Sequence, residues 1–386
     1  MLYGLNLPAR NIFLLKPTTG RNTAISGPDF WNLSGRAGRL GKELEGNVYL
    51  IDYNRWETKP VSESRNVRVT SGLRTTIVDK ADRLLAFLDD PQVSSEKEPE
   101  LEIALGKLVI DERNGTLDRT IARYVTEENS AKTNAIFERV KNISANIPLP
   151  SDVLNKNIGV SIFRQNDLLG YMIKRIKEIG PEELMPAHPL IDFEIARKNY
   201  ERAFKRIHTY LLKYPGKNRQ QFFFAPLALR WMRGDPLPVL IDSAIKYNQK
   251  NKTGRSTARI IRDTMENVED DLRFRYVKFF TCYNSILEFV LAQEGLKDLI
   301  QAIPNVPLFL EMGGSSGAMI NLMAIGLSRT TAEALTIYIT NKEMGLDEVK
   351  LWLLSQKLES LDISPACIRE AQELIGKLGP VSDGQQ

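Results

Sequence analysis

From Ile77 to Gly376 apolar residues recur at intervals of three and four in one long segment after another, with almost no run that alternates as a strand does. That spacing gathers the apolar side chains onto one stripe of a helix, so most of the chain is committed to helices packed on one another. The expected helices are Ile77 to Asp89, Leu117 to Glu127, Ala131 to Ile143, Gln165 to Ile179, Asp192 to Tyr214, Gln220 to Met232, Val239 to Tyr247, Ser256 to Gln293, Ala318 to Ile325, Ser328 to Thr340, Asp347 to Leu358 and Pro365 to Gly376. Prolines such as Pro91, Pro99, Pro148, Pro181 and Pro304 punctuate the connections.

The first 75 residues read differently. Asn11 to Lys16 (NIFLLK) reads as a short buried strand, and Asn47 to Asp52 (NVYLID) as another strand. Between them, Gly27-Pro28-Asp29 opens a helix that should run through Phe30, Trp31 and Leu33 towards Gly38. Pro28 suits a first turn because it lacks a donor that would go unused there, and Asp29 favours the positive end of the helix. Strand, helix, strand is a fragment of an α/β sheet, too small to stand alone. The fold class expected is therefore an α/β remnant followed by a mostly α-helical region, α-dominated overall.

Cys282 and Cys367 have no CxxC spacing, and His188 and His208 stand apart from them and from each other, so neither a metal site nor a disulfide framework is expected. No apolar run is long enough to span a bilayer. The chain reads as cytoplasmic, without a membrane partner.

Charge is unevenly placed. Residues 197 to 262 hold sixteen basic against three acidic residues, whereas residues 81 to 196 and 263 to 386 are net acidic. Such a block is the footprint expected where a polyanion is held; a solvated helix surface with acidic partners from elsewhere in the fold is the other reading. On the helix from Asp192, residues Phe193, Ala196, Tyr200, Phe204, Ile207 and Leu211 make an apolar stripe, and Lys198, Arg202, Lys205, Arg206 and Lys213 fall on another face. A row of this kind can track a phosphate backbone without reading sequence. The stretch Lys246 to Arg262, with Lys252 and Arg255 at its centre, adds a basic loop and helix start without an acidic residue. Trp231, Tyr200 and Tyr210 are expected in the core rather than as stacking platforms. Leu308 to Leu335 reads as two short helices joined at Gly326 with Ser328 capping the second, a packing hairpin or a helix-hairpin-helix.

The segment Asn32-Leu33-Ser34-Gly35-Arg36-Ala37-Gly38-Arg39-Leu40-Gly41-Lys42 places two arginines three residues apart on what should be a glycine-relieved helix, both guanidinia on one face. Arginine suits a bidentate grip on phosphate oxygens. Taken alone, the segment also reads as an ordinary surface helix. It is preceded, by the length of a strand, a loop and a helix, by Gly4-Leu5-Asn6-Leu7-Pro8-Ala9.

The pair resembles motifs V and VI of superfamily 2 helicases of the DEAD/DEAH type, and the forms GLNLPA and GRAGRLGK look like its superkiller-like branch, which includes RNA exosome and DNA repair helicases. The resemblance implies that residues 1 to 75 are the C-terminal part of the second RecA-like domain. It implies that Arg39 is the arginine finger directed at the γ-phosphate, with Arg36 its companion. Gly4 and Asn6 would lie where the nucleotide cleft meets the nucleic-acid backbone, and Asn32 and Gly35 would belong to the nucleotide side. The family has glutamine where this chain has Asn32, one methylene shorter. No GxxxxGK[ST] loop and no DExH-type motif occurs in the sequence, so ATP and Mg²⁺ are expected in an intact parent motor and neither is expected on this chain, which by itself should be inactive.

Beyond residue 75 the resemblance implies accessory domains: a helical region over 76 to 190 with room for a winged-helix-like part, a basic nucleic-acid-binding region over 191 to 300, and a C-terminal helical region over 301 to 386. The partners implied are single-stranded DNA or RNA and an N-terminal RecA-like domain. The alternative is a protein-binding or regulatory module of a helicase complex, such as the two-component Hachiman-type anti-phage systems whose helicase resembles this branch.

Overall fold

The computed structural model describes residues 10–19, 23–37, 46–63, 70–90, 98–213 and 219–378. Helix accounts for 67% of the chain and strand for 4%, so the molecule is helix-dominated with one small parallel sheet. It divides into two units, Met1–Ser71 and Gly72–Gln386.

In the first unit, β1 (Asn11–Leu15) pairs in parallel with the later strand Asn47–Ile51, Asn11 opposite Asn47 and Leu15 opposite Ile51. Two-residue strands β2 (Thr18–Thr19) and β3 (Thr23–Ala24) form a small antiparallel ladder before α1 (Gly27–Ser34), and Asn47–Ile51 is β4. Ser26 caps α1 by accepting from the Asp29 amide at 3.3 Å, and Pro28 occupies the first turn as its missing donor allows. The Gly27 amide donates to Glu63 Oε2 at 2.7 Å, and a Cβ at Gly27 would sit 2.5 Å from that oxygen. Leu14, Ile25, Phe30 and Trp56 form the core of the unit. On the opposite face of the sheet Phe13, Leu15, Tyr49 and Ile51 are exposed, Phe13 stacked on Tyr49 with ring centres 4.8 Å apart.

Described residues of the second unit are helical with turns between. Its helices are α2 (Gly72–Arg74), α3 (Ala81–Asp89), α4 (Pro99–Arg113), α5 (Leu117–Ala122), α6 (Ser130–Asn146), α7 (Ser151–Lys156), α8 (Ile162–Ile179), α9 (Phe193–Arg206), α10 (Gln221–Met232), α11 (Leu237–Lys250), α12 (Thr257–Glu266), α13 (Val277–Gln293), α14 (Lys297–Ile300), α15 (Val306–Met312), α16 (Gly317–Ala324), α17 (Arg329–Thr336), α18 (Leu346–Ser355) and α19 (Pro365–Leu378). Wider π turns at Thr75–Asp79, Ile207–Leu211 and Asn267–Tyr276 extend α2, α9 and α12. Through the last of these the chain stays helical from Thr257 to Gln293, close to the expected span.

One buried cluster runs from Ile77 to Leu310, and a second, from Ala318 to Ala371, holds α16 to α19 together. Residues on either side of positions 190 and 300 therefore share a core. Among the described residues of 76 to 190 there is no strand from which a wing could be built. Helix α4 departs from the sequence reading, which assigned no helix there. Its buried residues Leu101, Ala104, Leu105, Leu108, Val109 and Ile110 lie nearly all round the axis, so no stripe marks it, and Pro99 is its first turn rather than a break. Arg113 at its end donates to the carbonyls of Ser144, Ile147 and Leu149, supplying partners for the last turn of α6.

Candidate functional site

Of the residues tied to the nucleotide, Gly4, Asn6 and Arg39 lie outside the described residues. Asn32 is exposed on α1, and the helix stops at Ser34 with Gly35 as its C-cap. A Cβ on Gly35 would meet the Trp31 carbonyl at 3.2 Å, so the turn after the helix is tight. Arg36 follows in that turn, its amide donating to the Leu33 carbonyl at 3.2 Å and that of Ala37 to Ser34 at 3.0 Å. The expectation of a helix running towards Gly38 is thus corrected. Arg36 stands on a turn, and helical spacing cannot be used to place it beside Arg39. At this end the Gly35 amide bonds back to the Trp31 and Leu33 carbonyls, while Phe30 of α1 is buried in the small core of the unit.

The basic block is best built from α9. Asp192 caps it, accepting from the amides of Glu194 and Ile195 at 3.0 Å each. Ala196, Tyr200, Ala203, Phe204 and Ile207 are buried, which turns Lys198, Arg202 and Lys205 outward on one face at spacings of four and three. None of these three has an ion-pair partner among the described residues. Arg197 beside them is held by Glu194 at 2.7 Å and by Glu201.

Arg206, expected in the same row, is buried. It sits at the border of the apolar stripe, where the connection before α9 crosses over it, and its guanidinium donates to Glu183 Oε1 at 3.0 Å, to the Glu183 carbonyl at 3.0 Å and to the Tyr171 hydroxyl at 3.2 Å. It is a structural ion-pair partner rather than a phosphate contact. Lys213 lies past the π turn in a left-handed conformation (φ 48°), and its ammonium is 3.5 Å from Asp167. The extra residue of the π turn carries it off the α9 row towards α8.

On either side of α10 the basic residues divide the same way. Lys246 pairs with Asp242 at 2.6 Å, and Arg255 and Arg259 share Asp263 at 3.2 and 3.8 Å. Arg219, Lys250, Lys252 and Arg262 are exposed with no carboxylate partner among the described residues. Lys252 adopts φ 48° and Gly254 φ 71° in the loop that joins α11 to α12, and Ser256 caps α12.

Of the aromatic residues weighed as platforms, Trp231 and Tyr200 are core, and Tyr210 is partly buried at the edge of the core. Trp231 is buried, its Nε1–H donates to the Leu310 carbonyl at 2.8 Å, and the Arg329 guanidinium lies 3.9 Å from its ring centre. The Tyr200 hydroxyl donates to Ala187 at 2.8 Å, and Tyr210 stacks on Tyr171. At the α16–α17 turn the Ser328 amide and hydroxyl both donate to the Glu370 carboxylate, so the amide a helix-hairpin-helix would offer a phosphate is taken by α19.

Sequence reasoning passed over Phe222, Phe223 and Tyr247, which are about half to two-thirds exposed around a groove between α10, α11 and α12. A signal was present: three consecutive aromatics, Phe222 to Phe224, spread over some 200° of a helix, too wide for all of them to face one core.

No helix among the described residues is long and apolar enough to cross a membrane. Compared with models of protein families and with curated proteins, the chain matches none.

Proposed function

We propose that this chain is the C-terminal part of an ATP-dependent superfamily 2 helicase or translocase, and that its helical unit holds single-stranded nucleic acid by the phosphate backbone. The observation that carries the reading is the outward row Lys198, Arg202 and Lys205. These are three cations on one helix face, each exposed and none in an ion pair among the described residues, although the charge of Lys198 is close enough to Glu194 to help lower that carboxyl's pKa. Arg197 and Lys246, in the same basic block, are held in ion pairs, and this row is not. A row left bare favours a polyanion that arrives from outside.

The sheet of the first unit supports the motor reading. Parallel strands are normally covered on both faces, and Phe13, Leu15, Tyr49 and Ile51 form an apolar face suited to such cover. A RecA-like motor packs helices there.

Salt titration of oligonucleotide binding tests the proposal. The chain should bind single strands with little sequence preference, and log affinity should fall linearly with log salt at ~0.7 per phosphate contact. Replacing Lys198, Arg202 and Lys205 by glutamine should flatten the slope by about two. An unchanged slope with binding retained would move the path elsewhere, and no binding at low salt would end the reading. For the nucleotide side, Arg39→Ala in an intact motor should lower kcat by ~10³ or more with much less effect on nucleotide binding. Equal losses in both would remove Arg39 from the role of finger.

A further inference from the structure

The groove between α10, α11 and α12 measures about 860 Å³, at the large end of the ~300–1,000 Å³ typical of ligand sites. Its floor is apolar, with Pro226, Leu227, Leu240 and Ile260. Around it stand three rings that the fold leaves in water, Phe222 at 55%, Phe223 at 51% and Tyr247 at 66% exposed. Arg219, Arg230 and Arg255 also line it, against one carboxylate among the described residues, that of Asp263. Asp263 is shared between Arg255 and Arg259, Arg230 is paired with Asp235, and Arg219 has no partner among the described residues. Lys250, Lys252 and Arg262, also bare, belong to the α11–α12 hairpin that forms one wall.

The geometry points to this groove as a base-stacking subsite for single-stranded DNA or RNA, in which unstacked bases lie against Phe222 and Tyr247 while Arg219 and the bare cations of the hairpin take the flanking phosphates. The assignment rests on the nucleic-acid reading above and adds to it the place where bases, rather than phosphates, are held. Every base has a π face, so stacking on exposed rings is tolerant of sequence, and it is available only to bases freed from a duplex. Arginine serves both purposes, pairing with phosphate oxygens and lying flat on rings. Charge complementarity selects the occupant: a cationic rim over an apolar, aromatic floor matches a strand with anionic backbone and flat apolar faces.

Phe222 and Tyr247 are exposed, so the double variant Phe222→Ala, Tyr247→Ala should melt at nearly the wild-type temperature and can be compared with it directly. Fluorescence anisotropy of a labelled oligothymidylate on the full chain is expected to show a 10- to 100-fold weaker Kd for the variant with an unchanged salt slope, because the rings neutralise no phosphate. An abasic strand of equal length should bind wild type and variant alike. A 5-iodouridine strand should photocrosslink to Phe222 or Tyr247. If the variant binds as wild type does, the groove is not the subsite, although the flattened slope of the Lys198, Arg202, Lys205 variant would still stand. If wild type binds no strand at all, the parent reading fails and the subsite fails with it. If an acidic amphipathic peptide binds wild type but not the variant, while strand binding is unaffected, the groove is a protein-docking site and the proposal is overturned.

Discussion

Arg206 and Lys205 are neighbours in sequence with opposite fates, and the difference is measurable. Arg206→Gln removes the buried guanidinium from Glu183, which keeps only Arg175 at 3.6 Å, and opens the contact to Tyr171, so it should destabilise the chain by about 1–3 kcal/mol in urea unfolding. The substitution of Lys198, Arg202 and Lys205 together should stay within about 1 kcal/mol. His208 gives a pH signature. It is buried against the Tyr276 hydroxyl at 2.8 Å, near Gln221 and Arg275. Burial, reinforced by the Arg275 charge, lowers its pKa from 6.5 to about 4. Between those values the unfolded chain takes up a proton that the folded chain refuses, so stability contributed by neutral His208 is present above pH 6.5 and is lost as pH falls towards 4. The loss should be about 3 kcal/mol at most. Carboxylates titrate in the same range, so the check is the difference in urea stability between wild type and His208→Gln, which should shrink as pH falls from 7 to 4.

Among the elements, the ends of α15 and α4 separate two costs that glycine can avoid. Gly313 caps α15 at φ 68°, and a Cβ there would come within 2.5 Å of the Trp231 ring and of Arg329, both fixed by hydrogen bonds in the seam between the two cores. Gly115, just past α4 at φ 66°, has nothing within 4 Å of such a Cβ. Gly115→Ala should therefore cost about 1 kcal/mol from backbone strain alone. Gly313→Ala should cost about 2–4 kcal/mol, because ring and guanidinium must also shift. Equal losses of denaturation midpoint would show that the seam yields easily. Arg329 crosses that seam, donating to the carbonyls of Gly313 and Asp235 at 2.8 and 2.9 Å. Helix α10 bears on function more directly. Pro226 within it removes the bond to the Phe222 carbonyl one turn back, and both residues line the aromatic groove.

At the scale of the molecule, the cation row of α9 and the rings of the groove belong to Gly72–Gln386, which has two cores of its own. A chain of residues 72 to 386 should keep its helical circular dichroism and bind single strands with the salt slope of the full chain. Loss of binding on removing residues 1 to 71 would mean that the first unit supplies phosphate contacts. The sequence by itself determined the helix-dominated class, the two strands of the α/β fragment, most helix spans and the apolar stripe of α9, because strand and helix patterns are local properties of a chain meeting one core. It did not show α4, which is buried nearly all round, or the end of α1 at Ser34, where Gly35 caps the helix. It could not separate Arg206 from Lys198, Arg202 and Lys205, since a cation at the border of a stripe is exposed or buried according to what crosses over it, here Glu183. The aromatic groove likewise exists only once α10, α11 and α12 are packed, because its rings and arginines come from helices that local sequence cannot bring together.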